Sequence, residues 1–293
     1  MADLVHLNGL LLPSEEARIA TLDYGFLYGY GLFETMRAYD GRVFRLGHHL
    51  ERLARSADML EITVNVGTLA DAIGETLVAN GFGETVSDTA DGARIRLTVS
   101  AGEGDSAPDP ASCVRPTVLV VAGKYQPLPE DIYKAGYRAV TASLRRNHRS
   151  PLARIKSLNF TENLLARREA HRAGADEAII INDRDRVAEA SMSNLFVVSE
   201  GVLRTPPLDA GVLPGVTREA VLELAQRLGI AAEEEDIALD ELRDTGEAFL
   251  TNSVIEVMPF TSLDGRAIGC GTAGPVTQKL RQAYQELVHS ETG

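Results

Sequence analysis

Lys156 is the residue whose type most constrains the chemistry open to this chain. Only four lysines, Lys124, Lys134, Lys156 and Lys279, stand among 29 basic residues, so arginine carries nearly all the positive charge. A lysine amine condenses with an aldehyde once it is neutral, whereas a guanidinium stays protonated and cannot. Lys156 sits between Ile155 and Leu158 in Ala-Arg-Ile-Lys-Ser-Leu-Asn-Phe, residues 153–160, just ahead of an amphipathic run. That setting suits a Schiff-base lysine; a surface or salt-bridged lysine is the plainer alternative.

Three further features bear on the same chemistry. Leu-Pro-Gly-Val-Thr-Arg, residues 213–218, ends a loop at a helix start. Amides at a helix N-terminus, with a threonine hydroxyl, bind anions, although an ordinary N-cap by Thr217 would also explain it. Arg52, on a helix, is either a phosphate clamp or a solvated residue. Glu189, in the small-residue-rich run 187–196, is either an exposed strand residue or a carboxylate that keeps a pyridine nitrogen protonated. Residues 249–256, Phe-Leu-Thr-Asn-Ser-Val-Ile-Glu, add hydroxyls and amides at a strand end. A lysine, a carboxylate and a phosphate cup are together the parts needed to hold pyridoxal phosphate.

These residues need elements to position them. Asn8-Gly9 and Asp40-Gly41 each sit between apolar stretches and predict tight hairpins, the second spanning residues 37–44. Leu50, Leu53, Ala57 and Leu60 recur at helical spacing within 46–60, and 68–80 reads as a second helix closed by Gly81. Ile95, Leu97 and Val99 alternate as a half-buried strand, and 114–122 reads as a buried one. Two prolines without periodicity at 124–136 suggest a linker, which divides the chain into a domain over 1–123 and another over 137–293. In the second, strands are expected at 138–144, 177–182, 186–199 and 248–251. Helices are expected at 161–173, 217–228 and 276–288, with hairpin turns at 183–185 and 264–265.

Composition narrows the partners. The chain has 293 residues, 44% of them hydrophobic, and a net charge of -13. Such an acidic surface argues against nucleic acid and anionic membranes. No apolar run is long enough to span a bilayer, and the N-terminus lacks the layout of a signal peptide. Cys113 and Cys270, far apart, read as reduced thiols of a cytoplasmic protein. His48, His49 and His148 have no companion at metal-ligand spacing, so no metal is expected. Residues 233–236, Glu-Glu-Glu-Asp, read as a solvated acidic stretch.

From Asp-Tyr-Gly-Phe-Leu-Tyr-Gly-Tyr-Gly-Leu-Phe-Glu-Thr-Met-Arg (23–37) to about Pro259, the chain resembles the class IV aminotransferases, pyridoxal-phosphate enzymes of fold type IV. That family includes branched-chain, D-amino-acid and R-selective amine transaminases and aminodeoxychorismate lyases. The resemblance implies an α+β fold, with a small N-terminal α/β domain, a larger domain with a barrel-like sheet, and the cofactor in a cleft between them. It implies a homodimer, an amino donor and a 2-oxo acid acceptor. Pyridoxal 5'-phosphate would form an aldimine with Lys156, which later shuttles the Cα proton, and Glu189 would face the ring nitrogen. Arg52, the amides of Val216 and Thr217, the Thr217 hydroxyl and Ser253 would take the phosphate. The amides of Val254 and Ile255 would approach the substrate carboxylate, and Tyr28, Phe33 and Arg37 would line the pocket.

The subfamily motifs diverge. Thr35 stands where the lyases carry a threonine thought to protonate the departing product, which branched-chain enzymes replace by glycine. Ala101 stands where D-amino-acid enzymes and lyases often carry an arginine. Losing such a clamp removes about 2 kcal/mol of carboxylate binding. Arg96 matches an arginine of the branched-chain enzymes. Phe160 replaces a tyrosine that contacts the cofactor ring oxygen, and Tyr30 replaces an aspartate common in the D-amino-acid and lyase groups. On balance Ala101 favours a transaminase over a lyase.

Overall fold

The computed structural model describes residues 3–83 and 92–293. They fall into two compact units: Met1–Pro127 with Ile155–Asn159 and Val288–Gly293, and Leu128–Arg154 with Phe160–Leu287.

The first unit contains β1 (Leu4–Leu7), β2 (Leu10–Pro13), α1 (Tyr24–Tyr28), β3 (Gly31–Tyr39), β4 (Arg42–Val43), α2 (Leu46–Met59), α3 (Val66–Ala79), β5 (Gly92–Ser100) and β6 (Thr117–Tyr125). The strands form one antiparallel sheet in the order β2-β1-β6-β5-β3-β4. Both expected hairpins form, with positive φ at Asn8 (50°), Gly9 (91°), Asp40 (47°) and Gly41 (83°), the geometry that matches strand twist in a two-residue turn. Leu50, Leu53 and Ala57 of α2 and Leu69, Ile73 and Leu77 of α3 share a core with Leu32, Met36, Ile95, Leu97 and Val120. Strand alternation therefore puts Leu32, Glu34 and Met36 of β3 on the core side, and Phe33, Thr35 and Arg37 on the other. The strand starts six residues before the expected hairpin. Likewise β6 is shifted from 114–122 to Thr117–Tyr125, and Val114 is 82% exposed.

The second unit contains α4 (Glu130–Ala135), β7 (Tyr137–Arg146), α5 (Thr161–Arg172), β8 (Glu177–Asn182), β9 (Val187–Ala190), β10 (Asn194–Ser199), β11 (Val202–Thr205), α6 (Val216–Arg227), β12 (Ala232–Glu234), α7 (Leu239–Asp244), β13 (Glu247–Asn252), β14 (Glu256–Leu263), β15 (Arg266–Ala267) and α8 (Pro275–Thr292). Its sheet is mixed and runs β12-β11-β10-β13-β14-β7-β8-β9, with β15 on β14. The pairs β11–β12, β14–β7 and β7–β8 are parallel.

Four expectations are corrected here. The segment 124–136 is not a plain linker: β6 runs into it, and α4 is tied down by Arg281, which donates to Glu130 at 2.7 Å and lies 4.1 Å over the Tyr133 ring. Residues 155–159 group with the first unit rather than with 137–293. The reason is backbone pairing with the start of β3: the Phe33 N–H donates to Lys156 O, and the Leu158 N–H to Gly31 O. The single strand expected at 186–199 is two, because the buried Glu177 carboxylate draws out the chain between them by accepting from the Ser191 hydroxyl and the Met192 N–H. Finally, 233–236 is not simply solvated: Glu234, Glu235 and Asp236 pair with Arg218, Arg204 and Arg184.

Candidate active site

In the first unit, Lys156 is held by its own backbone against β3, and its Nζ lies 4.6 Å from the centre of the Phe33 ring. The Arg96 guanidinium lies 3.6 Å from the centre of that ring. Phe33 thus gathers the Lys156 amine and the Arg96 guanidinium onto one aromatic group, an arrangement that the ring quadrupole favours. Burial, then the neighbouring Arg94, pushes Arg96 down to about 10, although it remains charged at neutral pH. Thr35 pairs directly with Arg96 across β3 and β5 and projects from the same side of the sheet.

Arg52 is buried, not solvated. Its Nε donates to Glu34 Oε1 at 2.8 Å and its Nη2 to Glu34 Oε2 at 2.5 Å. His49, three residues earlier on α2, places Nδ1 2.8 Å from Glu34 Oε2. Burial works against the Glu34 charge, but Arg52 and the His49 hydrogen bond prevail and hold the carboxyl at about 2. Burial depresses the His49 pKa despite Glu34, and Arg52 and Lys156 add to the depression. Glu34 was not singled out in the sequence, and His49 was considered only as a metal ligand. Their signal was there, in the Phe-Glu-Thr motif and the His-x-x-Arg spacing, but it required knowing that β3 and α2 pack together.

In the second unit, Glu189 is buried on β9, which excludes the exposed-strand alternative. Its Oε2 accepts from the Asn194 side chain (3.2 Å) and the Leu213 N–H (3.0 Å), and Arg146 stands 3.5 Å from its other oxygen. Asn194 also donates to Leu213 O, so it ties β10 to the loop entering α6. That loop comes so close that a Cβ on Gly215 would lie 2.0 Å from Asn194 Oδ1. Gly215, not Thr217, is the N-cap of α6, and with no side-chain cap the first-turn amides of Val216 and Thr217 are not spent on one. Thr217 is buried. Ser253 lies in the turn between β13 and β14.

Other expected residues are placed differently. The N–H groups of Val254 and Ile255 both donate to Asn252 Oδ1, at 2.8 and 2.9 Å, so an Asx turn engages the amides expected at the substrate carboxylate. The Asn252 amide nitrogen also donates to Met192 O and Ser193 Oγ. Arg37 stacks between Tyr39 (4.3 Å) and Tyr125 (4.4 Å), four residues and about 13 Å along β3 from Phe33. Tyr28 is exposed and rests edge-on against Tyr24 at 4.9 Å. Tyr30 donates to Leu60 O. Ala101 is buried, its N–H donating to Tyr30 O. His148 meets Asp183 at 2.6 Å, and no cluster of three or more possible metal ligands occurs among the described residues.

These donors suit pyridoxal 5'-phosphate. An uncapped helix N-terminus entered through a glycine that closes on its neighbour suits a phosphate, a buried and hydrogen-bonded carboxylate suits a pyridinium proton, and Lys156 suits an aldehyde. Comparison with known proteins agrees. The family model for amino-transferase class IV matches residues 31–263. A Methanocaldococcus jannaschii protein provisionally assigned as a branched-chain-amino-acid aminotransferase is 37% identical over 286 residues, covering 97% of this chain and 96% of the relative. The aminodeoxychorismate lyase of Bacillus subtilis (strain 168) is 33% identical over 297 residues, covering 99% and 98%. A solved branched-chain amino acid aminotransferase, that of T.th. with pyridoxamine 5'-phosphate, superposes with a TM-score of 0.90 at 32% identity, covering 99% of this chain and 95% of that one. The chain belongs to the class IV aminotransferases, a family of pyridoxal-phosphate enzymes.

Proposed function

We propose that this protein is a transaminase that moves an amino group from an amino acid or primary amine to a 2-oxo acid by a ping-pong mechanism. The observation that carries the reading is the shared Phe33 ring, which sets the Arg96 cation beside the Lys156 amine while Ala101 supplies no cation of its own. Arg96 would bind a substrate carboxylate and orient the donor near Lys156.

Bound pyridoxal 5'-phosphate would supply an aldehyde that takes up the donor nitrogen and a ring that accepts the electron pair released at Cα. Lys156 Nζ would act as the base that takes the Cα proton and returns it. Glu189, its carboxylate fixed by Asn194 and the Leu213 N–H, would hold a proton on the ring nitrogen. By the family resemblance, Arg52 in the first unit and, in the second, the first-turn amides and hydroxyl of α6 and Ser253 would hold the phosphate. A second 2-oxo acid runs the steps in reverse and restores the starting enzyme.

Thr35, opposite Arg96, supports a second reading as an aminodeoxychorismate lyase that releases pyruvate and 4-aminobenzoate. Selectivity for D-amino acids or R-amines is the alternative within the transaminases. A half-reaction separates them. Yellow holoenzyme is mixed, without acceptor, with L-branched-chain amino acids, D-amino acids and an R-amine. Bleaching by an L-branched-chain donor supports the branched-chain assignment, and bleaching by D-amino acids or the R-amine supports D/R selectivity. No bleaching, with pyruvate released from aminodeoxychorismate without acceptor, supports the lyase. Lys156→Ala loses the yellow colour and all activity; a yellow, active variant would refute the lysine's role.

The acidic charge and the cysteines, neither in a disulfide, suit the cytoplasm. No helix among the described residues is long and apolar enough to cross a membrane.

A further inference from the structure

We propose that Glu34 is a positioning residue for the cofactor phosphate, acting through Arg52; this rests on the reading of Arg52 as a phosphate ligand. A bidentate contact fixes the plane of a guanidinium as well as its place. Here the contact joins two elements: Glu34 projects from the core side of β3, and Arg52 reaches it from α2, where His49 takes up the same carboxylate oxygen. Glu34 and the Arg52 side chain are 1% and 6% exposed, so neither swings in water, and the carboxylate stays ionised to low pH. A guanidinium carries five donors, of which Glu34 engages those on Nε and one on Nη2. An anion would be met by a group already locked in plane, with little side-chain entropy left to lose.

A plain charge argument predicts the opposite sign. If Glu34 only neutralised Arg52, removing its charge would strengthen the attraction for a phosphate dianion. The two accounts therefore separate in one experiment. Apoprotein is titrated with pyridoxal 5'-phosphate and, separately, with pyridoxal, which lacks the phosphate, for wild type, Glu34→Gln, Glu34→Asp and Arg52→Ala. Glu34→Asp keeps the charge but shortens the reach, which keeps the test open if Glu34→Gln does not fold. Pyridoxal binding in each variant reports that the fold is intact.

The expected result is a loss of at least about tenfold in affinity for pyridoxal 5'-phosphate in the Glu34 variants, with pyridoxal nearly unchanged. An equal loss for both ligands would reduce Glu34 to a structural role, and unchanged or tighter phosphate binding would overturn the proposal. If Arg52→Ala fails to alter the ratio of the two affinities, the assignment of Arg52 itself falls, and the role of Glu34 falls with it. If Arg52→Ala alters the ratio and the Glu34 variants do not, only the positioning role is lost.

Discussion

At the scale of single residues, the most consequential feature is a buried charge that is fully partnered. Glu34 is held at about 2 against an ordinary 4.5 because Arg52 and His49 outweigh its burial. A depressed carboxyl stabilises the fold above its unfolded value and loses that contribution as pH falls from about 4.5 toward 2. The size of this coupling is roughly 3 kcal/mol. His49, also depressed, acts in the same direction from a higher pH, since protonating it below about 6.5 favours the unfolded chain. The unfolding free energies of wild type and Glu34→Gln, followed by urea denaturation from pH 7 to 3, should converge as pH falls. A gap that stays constant would show that the ionised carboxylate is not what stabilises this cluster.

At the scale of elements, the second unit depends on loops pinned at close range. Gly215 lets the loop before α6 approach Asn194, and Asn194 in turn holds Glu189 and Leu213. Gly215→Ala would place a methyl on the Asn194 oxygen, an overlap whose relief costs about 1–3 kcal/mol. Because Asn194 must move, the variant should lower the Tm and weaken cofactor retention together, measured by calorimetry and by the visible absorbance left after dialysis. A variant that keeps both would show that the loop has room to spare. Asn252 plays a comparable part for the turn at 253–255, where it accepts two N–H groups and donates to the Ser191–Ser193 loop.

At the scale of the whole molecule, one short helix leaves three successive apolar side chains exposed. Phe26, Leu27 and Tyr28 of α1 are 77%, 41% and 45% exposed. Exposed apolar side chains of this size would suit an association surface, and we propose that the homodimer implied by the family resemblance uses them. Light scattering coupled to size exclusion should give a mass of about twice 31.6 kDa. Phe26→Asp should shift it toward the monomer, and a wild-type mass of one chain would refute the assembly.

The sequence by itself determined what depends on local pattern. Turn dipeptides, apolar periods and helix-start chemistry are written within a few residues, so the hairpins at Asn8-Gly9 and Asp40-Gly41, the longer helices α2, α3, α5, α6 and α8, and the start of α6 were legible, whereas the short α1, α4 and α7 were not. So were Lys156 and Glu189 as chemical types in suitable surroundings. Tertiary structure alone decided which groups meet. Glu34 and Arg52 are 18 residues apart, and Asn252 lies 60 from Met192. No local period encodes such distances, and Glu34, Arg52 and Asn252 each read alone as a solvated polar residue. The amides of Val254 and Ile255 looked available because their acceptor is a side chain whose rotamer the sequence does not specify. Residues 155–159 looked like part of the second domain because chain order suggested it. Hydrogen bonds with Gly31 and Phe33 decided otherwise, because a buried backbone takes its partners where packing provides them.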